Sequence, residues 1–178
     1  MATIYLFRHG QASFGADDYD KLSPLGERQA SALGEYLREA GIILDATVSG
    51  SLLRQRETAR LTMVSQAGTA PHHIDPRFNE IDNEEQVKYL LPEILKGNPD
   101  LRALVERGYS SSKDYQKVID AVFNYWVSPA CVAPSVQSWA DYSGGVQAAL
   151  HELMTSQGSG KTLGVFTSGG TIATLVAY

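Results

Sequence analysis

The first apolar run, Ile4 to Phe7, stops at Arg8 and His9. Unbroken and partly β-branched, it predicts a strand over 3–7 buried on both faces, as in a parallel sheet. The period then changes. In "DYDKLSPLGERQA", Ser23 suits a helix N-cap, Pro24 the first helical position and Glu27 the first turn. Leu33, Tyr36, Leu37 and Ala40 recur at helical spacing, with Gly41 as the stop signal. "LDATVSGS" predicts a second strand, and "LLRQRETARLTMV" a second helix with Leu53, Leu61 and Val64 as its core contacts. Residues 71–82 predict another extended segment. This alternation of strand and helix argues an α/β fold with a mostly parallel sheet.

From Glu84 to about Pro134 the pattern is helical in patches, broken by Gly97, Pro99, Gly108 and Pro129. We read it as a helical insertion over about 84–134 within a single domain spanning 1–178. "VQSWADYSGGVQAALHELM" resumes a long amphipathic helix. Gly144 and Gly145 fall inside it, each costing about 1 kcal/mol relative to alanine, which predicts a kink or break. "KTLGVFTSGGTIATLVAY" reads as a strand, a tight Gly-Gly turn and a helix start.

Composition changes this picture little. The chain of 178 residues has the apolar and charged fractions of a globular protein, and its formal charge of −5 argues against a nucleic-acid or anionic-membrane partner. One cysteine, Cys131, excludes an intrachain disulfide and fits a reducing compartment. No run approaches the length of a membrane span, and Arg8 interrupts the N-terminal apolar stretch, so the expected location is cytoplasmic.

The chemistry gathers at three strand-to-helix junctions. The first ends in Arg8-His9-Gly10, the second leads into Arg54 and Arg56, and the last carries Thr167-Ser168-Gly169-Gly170-Thr171. In open α/β sheets ligands bind at the carboxyl ends of the strands, and helix N-termini there favour anions. Arginine's planar fork holds phosphate oxygens in pairs. The pattern predicts a convergent anion site.

"FRHGQ" at 7–11, "LSPLGERQA" at 22–30, "SGSLLRQRETA" at 49–59, "RFNEID" at 77–82 and "SWADYSGGV" at 138–146 resemble the histidine phosphatase superfamily, the phosphoglycerate mutase-like proteins. The resemblance implies a three-layer α/β/α sandwich and a phosphomonoester hydrolase working through a phosphohistidine. It assigns His9 as nucleophile, Glu80 as acid and base, and Arg8, Arg54, Ser168 and Gly169 as phosphate-binding residues. It implies a small phosphorylated substrate, no metal and no cofactor. It leaves a homo-oligomer open, and also a truncated C-terminus, because the family continues beyond the point reached here.

One position departs from the family's pattern. Its second histidine precedes the Gly-Gly of the last junction, where this chain has Ser168. Serine offers one neutral hydrogen bond and no positive charge. Losing a transition-state donor costs about 100- to 1,000-fold, so reduced or altered activity is expected. Ser168 either touches phosphate through its hydroxyl or backbone, or only shapes the turn. The alternatives are a mutase-type phosphotransferase and a phosphate-ligand binding protein with weakened catalysis. A serine hydrolase is excluded: "FTSGG" lacks the first glycine of the nucleophile elbow, and no histidine follows Ser168. Arg56, two positions from Arg54, is read as a surface residue or as one that supports the site without touching phosphate. His72, His73 and His151 are read as structural, Cys131 as a packing residue, and the aromatic residues of the insertion as core first, with a few of them lining the substrate pocket.

Overall fold

The computed structural model describes residues 2–13, 19–66, 69–156 and 158–177. Two compact units divide the chain: Met1–Ile81 with Gly144–Tyr178, and Asp82–Ser143.

The first unit is built on four strands, β1 (Thr3–Arg8), β2 (Ala46–Ser49), β3 (His72–Ile74) and β4 (Thr162–Thr167). They lie in the order β1-β4-β2-β3, and every pairing is parallel. Parallel neighbours need crossover connections, which helices supply. The register places Tyr5, Phe7, Gly164 and Phe166 together, and Ile4, Leu6, Leu163 and Val165 together. Strand side chains alternate between faces, so these sets cover opposite sides of the sheet. The helices α1 (Pro24–Glu39) and α2 (Leu53–Met63) cover the first face, where Leu37, Leu44, Ala59 and Phe166 form the core with Phe7 and Leu33 packed on it. On the other face, Leu153 of α6 (Trp139–Ser156) shares a cleft with Ala46, Val48 and Leu163. The fold is therefore an α/β three-layer sandwich with a parallel sheet, as expected.

Local chemistry sets the ends of α1. Ser23 caps it by accepting from Gly26 N, Pro24 opens it, and Gly41 follows its end at φ +68°. Its buried line is Gly26, Ala30, Gly34 and Leu37, while Tyr36 and Ala40 are exposed, contrary to the expectation from spacing. The reason is close packing against α2. A Cβ on Gly34 would stand 2.3 Å from the Thr62 carbonyl oxygen. Helices that close meet through small residues, which leaves larger ones to flank the contact. The same contact reverses the expectation for α2. Its buried side chains are Arg54, Gln55, Thr58, Ala59 and Thr62, while Val64 is exposed and Leu53 and Leu61 are half-buried. Thr62 satisfies its hydroxyl on the Ala30 carbonyl across the interface.

The extended segment over 71–82 resolves into β3 and a short 3-10 turn, Pro76–Phe78. The Gly144-Gly145 pair does not break α6, which runs through it. The expected Gly-Gly turn is also absent: Gly169 and Gly170 form the first turn of α7 (Gly169–Val176) directly after β4, with Ser168 at the N-cap position.

The second unit holds α3 (Asn83–Gly97), α4 (Pro99–Arg107) and α5 (Ser112–Trp126), capped by Asp82, Asn98 and Ser111. Its core takes Leu90, Leu101, Leu104, Val118, Val122 and Trp126. On α5 the buried stripe advances by four residues, through Val118, Val122 and Trp126. Tyr115 and Phe123 lie off it and are exposed, as are Tyr89 and Tyr109, so of the aromatic residues expected in the core only Trp126 is fully enclosed.

Candidate active site

The ladder of β1 against β4 continues one residue past the strand. His9 N donates to the Thr167 carbonyl at 2.9 Å, which holds the nucleophile candidate beside the β4–α7 junction. Two glycines allow the chain to pass there. A Cβ on Gly10 would lie 2.4 Å from the Gly26 carbonyl oxygen, and one on Gly26 would lie 2.2 Å from that of Gln11. The Arg-His-Gly motif and the start of α1 are thus pressed together, with Gly10 N donating to Thr58 Oγ1 at 3.0 Å.

The hydrogen bonds of His9 fix its tautomer. Nδ1 lies 2.7 Å from the Gly10 carbonyl oxygen, which can only accept, so Nδ1 carries the proton. Arg54 Nε approaches Nε2 at 3.3 Å and can only donate, so Nε2 presents its lone pair. Burial lowers the pKa of His9. The Gly10 carbonyl opposes that shift, the Arg54 and Arg8 cations reinforce it, and Glu80 opposes it weakly. A neutral imidazole with a lone pair on its outer nitrogen is the form a nucleophile needs.

Arg54 is buried, and its guanidinium is held from behind. Asp20 Oδ1 accepts from Arg54 Nη1 at 2.7 Å, and Asp20 Oδ2 accepts from Leu53 N at 2.7 Å. One carboxylate therefore aims the arginine and also caps α2, whose N-cap residue, Leu52, provides no side-chain bond. The Arg54 guanidinium also lies over the Tyr19 ring, 5.4 Å from its centroid. Arg8 is exposed, and no ion pair or hydrogen bond holds its guanidinium among the described residues. It stands against the start of α7, where a Cβ on Gly169 would be 3.7 Å from Arg8 Cζ.

Glu80 reaches the same helix start. Its Oε2 accepts from Gly170 N at 3.2 Å and its Oε1 from Ile81 N at 3.1 Å. The structure thus brings Arg8, His9, Arg54, Glu80 and Gly169 to the carboxyl end of β1 and β4. Arg56 is exposed, two positions from Arg54. Ser168 is also at the junction, but it is completely enclosed, and its hydroxyl accepts from Gln55 Nε2 at 2.8 Å. Sequence reasoning missed Asp20 and Gln55. The only available signal for Asp20 was its place in the "DYDKLSPLG" segment, where it reads as a loop acid. A cleft of about 510 Å3 adjoins Arg8, His9 and Gly10 and is lined further by Gln11, Ala12 and Tyr19.

His72 faces Thr47 Oγ1 at 2.9 Å and Ser49 Oγ at 3.2 Å, and its pKa is lowered by burial and by the neighbouring cations. His151 is exposed, and Cys131 is half-buried with its thiol pKa raised by desolvation. Among the described residues no helix is long and apolar enough to cross a membrane.

Comparison with known proteins bears on the fold and the family. A broad-specificity phosphatase of Saccharomyces cerevisiae, YOR283W, is 36% identical over 66 residues, which span 34% of this chain and 29% of that protein. Bacillus stearothermophilus YhfR superposes with a TM-score of 0.66 at 20% identity, covering 99% of this chain and 79% of that one. A mycobacterial glucosyl-3-phosphoglycerate phosphatase, solved with VO3, superposes with a TM-score of 0.61 at 22% identity, covering 97% of this chain and 77% of that one. Residues 4–113, which hold the Arg-His-Gly junction, Arg54 and Glu80, match the profile of the histidine phosphatase superfamily, branch 1, and the chain belongs to that superfamily.

Proposed function

We propose that this chain is a metal-independent phosphomonoester hydrolase that passes its phosphoryl group through His9. The observation that carries the reading is the imidazole itself: Nδ1 is held by the Gly10 carbonyl, and Nε2 is turned toward a guanidinium. The Nε2 lone pair attacks phosphorus, and the bond from phosphorus to the leaving oxygen breaks. Glu80, in its acid form, protonates that oxygen. Its carboxylate then takes a proton from water, which attacks the phosphohistidine. The P–N bond breaks, its electron pair returns to Nε2, and inorganic phosphate leaves. Arg8, Arg54 and the Gly169 end of α7 neutralise the phosphoryl oxygens, the main demand of such a transition state.

In this reading Ser168 stands where the superfamily has its second histidine. Its hydroxyl is enclosed and engaged by Gln55, so one charged donor is missing and the rate is reduced. The same observation favours, as a second reading, a phosphate-ligand binding protein with weakened catalysis. A mutase-type transfer is the further alternative. We take residues 1–178 as one histidine phosphatase-like domain with an insertion over 84–134, acting on small phosphorylated compounds in the cytoplasm.

The test is hydrolysis of 4-nitrophenyl phosphate by the wild-type chain and by His9→Ala, with and without EDTA. Turnover that survives chelation and is lost in His9→Ala supports the proposal. Vanadate binding without turnover moves the assignment to the binding protein, and full activity in His9→Ala removes the nucleophile.

A further inference from the structure

We propose that Gln55 is a positioning residue for Glu80, tying the segment that carries the acid to the helix that carries the phosphate-binding arginine. The assignment rests on the reading of Glu80 as the acid. Gln55 is fully enclosed, and it is the residue after Arg54. While Arg54 turns toward His9, the Gln55 amide turns toward the Phe78 carbonyl, to which Nε2 donates at 3.1 Å. A carbonyl only accepts, so this contact orients the amide and makes Ser168 Oγ the second acceptor, at 2.8 Å. Gln55 Oε1 is left buried with no hydrogen-bond partner among the described residues.

An enclosed glutamine with an orphaned oxygen is costly compared with an apolar residue of the same size, because an unmet buried acceptor loses its hydration without recompense. Packing alone does not account for it. What the amide achieves lies at its donor end. Phe78 is two residues before Glu80, and its carbonyl also accepts from Thr167 Oγ1 at 2.5 Å. The next carbonyl, that of Asn79, accepts from Thr171 Oγ1 at 2.8 Å. Thr167 and Thr171 hold the segment to the β4–α7 junction. Gln55 ties it to α2. The distance between the acid and the Arg54 clamp is thereby set through two adjacent residues of one helix. A general acid must lie within hydrogen-bond reach of the leaving oxygen, and small misplacements are expensive.

The test separates this role from general support of the fold by comparing leaving groups. Alkoxide departure needs the acid, whereas nitrophenolate departure hardly does. We would measure kcat/KM on glycerol phosphate and on 4-nitrophenyl phosphate for wild type, Glu80→Gln, Gln55→Met and Thr167→Val, with thermal melting as a control. The expected result is that Glu80→Gln and Gln55→Met both depress the alkyl substrate more than the aryl one, Gln55→Met by about tenfold in the ratio of the two. Thr167→Val removes the other donor to the Phe78 carbonyl and should shift the same ratio, which keeps the test alive if Gln55→Met does not fold. If Glu80→Gln is selective but Gln55→Met and Thr167→Val lower both substrates equally or neither, the positioning role is overturned and the acid assignment stands. If Glu80→Gln itself is unselective, the acid assignment fails and the inference falls with it.

Discussion

Removing Asp20 should loosen α2 and misdirect Arg54 together, because one carboxylate serves both. In Asp20→Ala the Leu53 N–H loses its cap, at about 1 kcal/mol, and Arg54 Nη1 loses a charge-assisted bond worth about 1.5–3 kcal/mol. The Arg54 side chain is 10% exposed and that of Asp20 34%, so water partly replaces the carboxylate and the lower end applies. The sum is about 2–3 kcal/mol, or a fall in Tm of about 5–10 °C for a chain of this size. Asp20→Asn keeps an oxygen for Leu53 N and loses the ion pair, so it should cost about half as much. Both variants should lose about tenfold in kcat/KM on 4-nitrophenyl phosphate, since the guanidinium no longer faces the phosphoryl group. The assay is thermal and urea denaturation of the three proteins, with kinetics on the same samples. A Tm for Asp20→Ala within a degree of wild type would refute the reasoning, as would equal falls in Tm for Asp20→Asn and Asp20→Ala.

Two further outcomes are expected. His9 has its pKa lowered from about 6.5, chiefly by burial; the unfolded chain therefore binds the proton more readily, so stability rises with pH up to about 6.5 and falls below it, and the acid limb of kcat/KM lies below pH 6.5. An acid limb of kcat/KM above pH 6.5 in the wild type would contradict this. Ser168→His alone should not raise kcat, because the site is enclosed by Gln55, whereas Ser168→His with Gln55→Ala should raise it on an aryl phosphate, by at most about 100- to 1,000-fold; no gain in the double variant would mean that Ser168 does not occupy a lost donor's place.

What could be read from the sequence was local. The cap at Ser23, the start at Pro24 and the stop at Gly41 depend on neighbours a few residues away, and α1 follows them. The Arg-His-Gly junction was visible because charge ends an apolar run. The buried polar face of α2 was not, because burial there is dictated by the approach of Gly34 to Thr62 and by the demands of the site, and polar residues read by default as solvated. Asp20 and Gln55 were illegible for a related reason. The partners of Asp20 are 33 and 34 residues away in sequence and those of Gln55 are 23 and 113 away, and nothing in "DYDK" or "RQRE" distinguishes the two from surface residues. Tyr36 failed in the opposite sense: its spacing suits the core, yet the small residues of α1 make the contact and leave the ring outside.

The central claim is that phosphate is carried on His9, and trapping the intermediate tests it most directly. Glu80→Gln should accept phosphoryl from 4-nitrophenyl phosphate, with a leaving group that needs no acid, and should release it slowly for want of a base. Alkaline quenching followed by mass spectrometry of the peptides should find one phosphoryl group on His9, stable to base, lost in acid, and missing when His9→Ala is added. Turnover with no such adduct, or a phosphoryl group on any other residue, would contradict the account.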